Sequence, residues 1–196
     1  MGGAELIGKE EQEAVSEVIG RGVLFRYGFN EKQKNIFVTQ EFENEFCRYA
    51  GCKYALGVSS GTAALRVSLA ALGIAPGDEV ITQSFTFVAT VESIIEAGAV
   101  PVLTEVDKSL NMDPKDLEGK ITPKTKAIMP VHMLGVPARL DEILAIARRH
   151  KIPVIEDSCQ ACGSGYKGEK TGTLGALGTY SYDYVKTLTT GEGGMI

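Results

Sequence analysis

The sequence has few cysteines, no long apolar run and no excess of basic residues, and each shortage excludes a class of protein. Four cysteines among 196 residues do not predict a disulfide framework. No apolar run approaches the roughly 20 residues that a helix needs to cross a bilayer. The net charge of −5 argues against non-specific binding to nucleic acid, which favours a basic face.

Cys159 and Cys162 form the only closely spaced pair of cysteines. A metal or redox site would need a second pair of ligands or a thioredoxin-like context, and the sequence provides neither. We therefore expect both side chains to pack behind the preceding strand, and we predict no metal ion. Residues 1–5 lack the basic and apolar regions of a secretory signal. These features predict a cytoplasmic protein that binds neither membrane nor nucleic acid.

Strand patterns and helix patterns alternate along most of the chain, which is the order of an α/β fold. We therefore predict three layers, in which helices cover both faces of a mostly parallel sheet. A glycine-rich stretch predicts a hairpin around Gly168-Glu169, and a last strand begins near Met195. The helices are predicted over residues 9–19, 39–50, 61–72, 87–97, 113–118 and 140–150. The strands are predicted over residues 54–58, 79–82, 100–103, 127–131, 153–155 and 179–182.

Two helices carry apolar side chains at helical spacing. In residues 9–19 the apolar face consists of Val15, Val18 and Ile19. In residues 39–50 the stripe is Phe42, Phe46 and Tyr49, which we interpret as core.

Several polar side chains follow the predicted strands. Ligands of parallel α/β sheets bind at the carboxyl ends of the strands, so these residues should share one edge. They are Ser59, Gln83, His132 and Asp157.

Asp157 and Lys186 are the two residues whose surroundings suggest chemistry. Asp157 follows an apolar run, and a buried carboxylate needs a partner. A protonated pyridine nitrogen is one such partner, and a helix N-cap or an internal ion pair are the alternatives. Glu156 should point to the opposite face and be structural. Lys186 lies between a serine and several glycines, where its amine could form an imine with the aldehyde of pyridoxal phosphate. The alternative is a solvated surface lysine.

The segment Gly61-Thr62-Ala63 follows a strand and begins a helix. Free backbone N–H groups and the helix dipole make such a position an anion site. An ordinary strand-to-helix turn has the same sequence features, so the motif alone leaves both readings open.

Several motifs, taken in order, resemble the DegT/DnrJ/EryC1/StrS sugar aminotransferases, which belong to fold type I of the pyridoxal phosphate enzymes. The resemblance runs from about Leu6 to Ile196. The C-terminal motifs are Glu156-Asp157-x-x-Gln160, Ser181-x-x-x-x-Lys186 and Gly191-Glu192-Gly193-Gly194. The upstream motifs are Ser59–Leu65, Pro76–Ile81, Thr86–Thr90 and Pro130–Gly135.

The resemblance implies a set of site residues around pyridoxal 5′-phosphate. It implies that Lys186 and Asp157 are catalytic, with Lys186 bonded to the cofactor and Asp157 at the pyridine nitrogen. The remaining implied cofactor-binding residues are Gln160 at the ring oxygen, Ser181, Gly61, Thr62 and Ala63 at the phosphate, and Phe87 stacked on the ring.

Three residues have open readings at this stage. Phe87 could equally be a core phenylalanine at the start of a helix. His132 could be a satisfied histidine at a strand end, and we do not include it in the site. Arg26, with its neighbour Tyr27, could approach a nucleotide phosphate or a second subunit.

The activity implied by the resemblance is transfer of an amino group from glutamate or glutamine to a keto-sugar, usually nucleotide-linked, by a homodimer. Two alternatives remain. One is a keto-sugar dehydratase that uses pyridoxamine phosphate and has histidine at the position of Lys186. The other is a non-catalytic, cofactor-binding fragment. Residues 1–35 are expected to form an N-terminal helix and an irregular segment, and residues 36–196 the cofactor-binding large domain. Because family members continue into a smaller domain, we expect this chain to end before it.

Overall fold

The computed structural model describes residues 2–196 and consists of helices and strands in nearly the predicted order. The helices are α1 Lys9–Gly20, α2 Val38–Ala50, α3 Gly61–Ala71, α4 Val88–Glu96, α5 Pro114–Lys120 and α6 Leu140–His150. The strands are β1 Gly57–Val58, β2 Glu79–Gln83, β3 Val100–Thr104, β4 Thr125–Met129, β5 Ile155–Asp157, β6 Gly165–Tyr166, β7 Glu169–Lys170, β8 Leu177–Ser181 and β9 Gly194–Met195. None of the helices in this range is long and apolar enough to cross a membrane.

The main sheet has the order β3-β2-β4-β5-β8-β9-β1. Its two halves, β3-β2-β4 and β1-β9-β8-β5, join where β4 and β5 run side by side. There the Ile128 N–H donates to the Pro153 carbonyl at 3.0 Å, and parallel bridges pair Ile128 with Val154 and Val131 with Asp157. Within the described chain, β9 is the one strand of this sheet that runs opposite to the other six. The prediction of a mostly parallel sheet is confirmed.

Strand alternation divides the core between the two faces of the sheet. On β2, Val80 belongs to the cluster under α3 and α4, whereas its neighbour Ile81 belongs to the cluster under α5 and α6. Val154 and Ile155 divide in the same way. A third cluster packs α2 against β8 and β9. Because both faces are covered, the predicted three-layer arrangement is confirmed.

The hairpin predicted around Gly168 is confirmed. β6 and β7 pair antiparallel, and Lys167 and Gly168 between them both have left-handed backbone angles, with φ of 51° and 93°. Two adjacent residues with positive φ are what a two-residue type I′ turn requires, and glycine adopts that conformation without steric cost.

Two predictions about the N-terminal third were wrong in detail, the strand over residues 54–58 and the core position of Tyr49. The strand predicted over residues 54–58 is confined to β1, because only Gly57 and Val58 pair with β9. The apolar face of α1 has no buried residue, and Val15 and Ile19 are exposed. In α2, Phe46 is core but Tyr49 is 53% exposed. The sequence pattern identified these helices, but it did not show whether another element covers each face. The predicted division at residue 35 stays a prediction.

Candidate active site

A pocket of about 210 Å³ lies at the carboxyl ends of β1, β5 and β8. Parallel strands bring their ends together here, as expected for ligand sites of α/β sheets. All the predicted site residues line this pocket except Ala63. They are Gly61, Thr62, Phe87, Asp157, Gln160, Ser181 and Lys186.

Asp157 ends β5 and is only 3% exposed. Its Oδ2 accepts a hydrogen bond from Thr90 Oγ1 at 2.8 Å, and its Oδ1 accepts one from the Cys159 N–H at 3.1 Å. Among residues 2–196, no lysine, arginine or histidine lies within ion-pair distance of this carboxylate. The oxygens retain lone pairs, so the buried carboxylate can accept a cation from the pocket.

Lys186 lies in the loop after β8 and is half-buried. Its backbone N–H donates to the Asp183 carbonyl at 2.9 Å, and its carbonyl accepts the Gly3 N–H at 2.9 Å. Within the part of the chain that the structure describes, Lys186 is the one cationic residue that lines the pocket. Two hydrogen bonds therefore hold the backbone of Lys186, whereas its side-chain amine forms no ion pair with the described residues.

The first turn of α3 forms another wall of the pocket. Ser60 is the N-cap, and its Oγ accepts the Ala63 N–H at 3.0 Å. The Ala64 N–H makes the first intrahelical bond, to the Ser60 carbonyl. The N–H groups of Gly61 and Thr62 precede that bond and have no carbonyl within the helix to bond. Because the Ala63 N–H already has a partner in the cap, only Gly61 and Thr62 of the three predicted residues could offer their N–H groups to an anion.

Gly61 lies in close contact with the end of β8. A Cβ atom at this position would be 2.7 Å from Ser181 Cβ and 3.0 Å from Cys159 Sγ. Any side chain larger than hydrogen would push the start of α3 away from Ser181. Glycine is therefore needed here for close packing of the two pocket walls.

Phe87 and Gln160 both line the pocket, but they differ in exposure and in their hydrogen bonds. Phe87 is the N-cap residue of α4 and is 63% exposed, so its ring is not part of the core. Gln160 lines the pocket, but its Oε1 accepts the Leu134 N–H at 3.1 Å. Leu134 has a left-handed backbone with φ of 53°. The Gln160 amide therefore helps to hold the turn after β4.

Cys159 and Cys162 carry free thiols. Burial raises the pKa of the Cys159 thiol well above its ordinary value, and the neighbouring Asp157 carboxylate raises it further. Burial also raises the pKa of Cys162. Both side chains therefore act as neutral packing groups. Residues 2–196 contain no cluster of three or more histidine, cysteine or acidic side chains arranged to hold a metal ion.

Glu156 points away from the pocket, as strand alternation predicted, and is completely buried. It accepts hydrogen bonds from His132 Nε2 at 3.1 Å and from the N–H groups of Gly172, Leu174 and Gly175 at 2.8, 2.7 and 2.5 Å. His132 Nδ1 accepts the Ala138 N–H at 3.0 Å, so both ring nitrogens are occupied outside the pocket.

Sequence reasoning did not assign a site role to several residues that line the pocket, among them Thr90 and Ser60, whose side chains make hydrogen bonds within the site. Thr90 lies three residues after Phe87, on the same side of α4. The spacing from Phe87 would have indicated Thr90 as a site residue only if the packing of α4 against Asp157 had been known. Arg26 is not a pocket residue, because Glu43 of α2 holds its guanidinium.

Comparison with known proteins places this geometry in a family. The sequence profile of the DegT/DnrJ/EryC1/StrS aminotransferase family matches residues 5–196. GDP-perosamine synthase of Caulobacter vibrioides is 50% identical over 157 residues, which is 80% of this chain and 42% of that protein. Spore coat polysaccharide biosynthesis protein SpsC of Bacillus subtilis is 44% identical over 192 residues, or 97% of this chain and 47% of that protein.

A solved structure agrees with these matches. The aminotransferase of Psychrobacter cryohalolentis superposes with a TM-score of 0.87 and 40% identity, covering 96% of this chain and 47% of that one. The chain thus spans about half the length of the relatives it matches. The fold is that of type I aminotransferases, and the family depends on pyridoxal phosphate. The chain belongs to the DegT/DnrJ/EryC1/StrS aminotransferase family.

Proposed function

We propose that the protein carrying this chain is a pyridoxal phosphate-dependent aminotransferase that moves an amino group from glutamate or glutamine to a nucleotide-linked keto-sugar. One observation carries this proposal. A single pocket contains a buried carboxylate without a protein cation, a lysine without an ion pair, and the open first turn of a helix. Pyridoxal phosphate has a partner for each of these groups: a ring nitrogen for the carboxylate, an aldehyde for the lysine and a phosphate for the helix turn.

The residues present fit the cofactor. Asp157 would hold a protonated pyridine nitrogen, which supplies the cation that the buried carboxylate lacks. The N–H groups of Gly61 and Thr62, with the Ser181 hydroxyl, would hold the phosphate at the positive end of α3. Lys186 would bond to the aldehyde carbon, and the exposed Phe87 ring would cover the cofactor ring. When bound, pyridoxal phosphate supplies an electron sink for the carbanion formed at the amino acid.

The chain's own residues supply proton transfer and charge. Lys186 Nζ would take the proton from Cα of the amino donor, and would later give a proton to the former carbonyl carbon of the acceptor. Asp157, whose two oxygens each accept a hydrogen bond from the protein, would stabilise positive charge at the ring nitrogen.

The nature of the acceptor rests on relatives. The name GDP-perosamine synthase supports a nucleotide-linked sugar, and a spore coat polysaccharide protein supports the same class of substrate. The choice of glutamate or glutamine as donor rests on the family resemblance.

We also propose that the protein acts as a homodimer. Large apolar side chains are exposed beside the pocket, among them Phe87, Tyr184 and Val185. Val185 is 73% exposed although it lines the pocket next to Lys186. A second copy that covers these side chains would exclude water from the site and remove the apolar surface from solvent.

Reductive labelling tests the lysine. The whole protein is incubated with pyridoxal phosphate, reduced with borohydride and digested, and we expect a phosphopyridoxyl group on Lys186. Lys186→Arg should lower kcat by at least about 100-fold, whereas Lys108→Arg, at an exposed lysine outside the pocket, should leave it unchanged. Label on another lysine, with Lys186 free, would show that the assignment is wrong.

Product analysis tests the reaction. The protein is mixed with glutamate or glutamine and nucleotide-linked 3-keto or 4-keto sugars, and the products are followed by mass spectrometry. An aminated sugar supports the proposal. A deoxygenated sugar without nitrogen would indicate the dehydratase, for which the resemblance requires histidine instead of Lys186. Acceptance of simple 2-oxo acids alone would indicate an ordinary amino acid aminotransferase, and cofactor binding without any product a non-catalytic role.

A further inference from the structure

Beside Asp157, at the wall of the pocket, two threonine hydroxyls form a hydrogen-bonded chain. Thr90 on α4 is 1% exposed, and its Oγ1 lies 2.8 Å from Asp157 Oδ2. The same Oγ1 lies 2.8 Å from Thr86 Oγ1, one helical turn earlier. The chain therefore runs from Thr86 through Thr90 to the carboxylate.

The chemistry of these groups fixes the direction of the protons. An ionised carboxylate only accepts hydrogen bonds, so Thr90 must donate its single hydroxyl proton to Asp157. Thr90 then has only lone pairs to offer Thr86, so Thr86 donates to Thr90. The Cys159 N–H donates to the other carboxylate oxygen at 3.1 Å. Both oxygens are therefore held by donors, and the plane of the carboxylate is fixed.

We propose that Thr90, supported by Thr86, is a positioning residue that fixes the Asp157 carboxylate and aims it at the ring nitrogen of the cofactor. In this role Thr90 acts through Asp157 and not on the reacting atoms. The hydrogen bond from Thr90 holds a buried carboxylate that has no protein cation beside it, so Thr90 affects ligand binding through Asp157. This inference rests on the proposed function.

The test compares two ligands that differ at one atom. Pyridoxal phosphate has a ring nitrogen for Asp157, and its 1-deaza analogue has carbon there. Equilibrium binding of both is measured for the whole protein and for Thr90→Val, which removes the hydroxyl and keeps the shape. We expect Thr90→Val to bind pyridoxal phosphate about 10-fold more weakly, the loss of a hydrogen bond to a charged group, and to bind the deaza analogue as the parent protein does.

Thr90→Ser keeps the hydroxyl and should restore the affinity for pyridoxal phosphate. Thr86→Val removes only the outer donor and should weaken that affinity by a smaller factor. If Thr90→Val does not fold, the binding of both ligands to Thr86→Val is measured in its place. If Thr90→Val lost the same affinity for both ligands, Thr90 would have only a packing role and the inference would be wrong. Unchanged affinity for both ligands would also overturn it. Absence of pyridoxal phosphate binding by the parent protein would instead overturn the proposed function.

Discussion

At the scale of single residues, Gly61 shows how closely the pocket walls are packed. Gly61→Ala would place a Cβ 2.7 Å from Ser181 Cβ, so the first turn of α3 must move away from Ser181. We expect the affinity for pyridoxal phosphate to fall by about 10-fold or more, because backbone N–H groups would no longer point at the phosphate. Equilibrium dialysis measures this loss.

Gly119 offers a matched control for that substitution. It lies within α5, and a Cβ there would meet nothing within 4 Å. Gly119→Ala should leave the affinity unchanged and raise the free energy of unfolding by about 0.5–1 kcal/mol, since alanine is the better helix former. If Gly61→Ala bound the cofactor as well as Gly119→Ala does, the anion-site role of this turn would be wrong.

At the scale of elements, Glu156 connects β5 to the loop that leads into β8. Three backbone N–H groups of residues 172–175 and the His132 ring converge on its carboxylate. The adjacent residue on β5 is Asp157, so whatever fixes Glu156 also fixes the strand that carries the site. Strand alternation turns Glu156 toward this loop and its neighbour Asp157 toward the pocket.

Glu156→Gln should lower the free energy of unfolding by about 2–4 kcal/mol. The amide nitrogen of glutamine cannot accept the Gly172 N–H or the His132 Nε2–H, which both meet Oε2. His132 cannot change tautomer to compensate, since its Nδ1 already accepts the Ala138 N–H. Urea denaturation measures the change.

Glu169→Gln on the exposed hairpin strand β7 is the control, with an expected change within about 0.5 kcal/mol. A similar small effect for Glu156→Gln would mean that the loop finds other partners and that Glu156 does not organise it.

At the scale of the whole molecule, the N-terminal part leaves a large apolar surface exposed. The Phe25 ring meets the rings of Tyr27 and Phe29 edge to face, yet the three residues are 58%, 70% and 58% exposed. An aromatic cluster of this kind is typical of a surface that another protein covers. We expect a second copy of the chain to cover it in the proposed dimer.

Sedimentation equilibrium of the whole protein checks this expectation. Tyr27→Glu should weaken dimerisation by about 10-fold or more, because a carboxylate would be buried in the contact. Tyr54→Glu, at a residue that is 76% exposed and outside the cluster, should leave the dimer intact. A monomeric parent protein, or a dimer unaffected by Tyr27→Glu, would refute the proposed contact.

The sequence predicted the local elements well because each has a local cause. The helix over residues 140–150 and the strand at residues 79–82 follow from apolar periodicity, and the hairpin follows from glycine at a position that needs positive φ. The motif resemblance also led to the pocket residues, of which all but Ala63 line the same cavity. Ala63 was included because a motif does not show which N–H groups the N-cap has already used.

By itself, the sequence determined the succession of strands and helices and the family, and it predicted the lysine, carboxylate and glycine of the proposed site. Only the tertiary structure decided the order of the strands, the exposure of α1 and Tyr49, and the partners of Asp157 and Glu156. Thr90 and Asp157 are 67 positions apart, and no periodic signal connects residues so distant. Their contact exists because α4 and β5 pack at one edge of the sheet, and such packing depends on the whole set of buried surfaces.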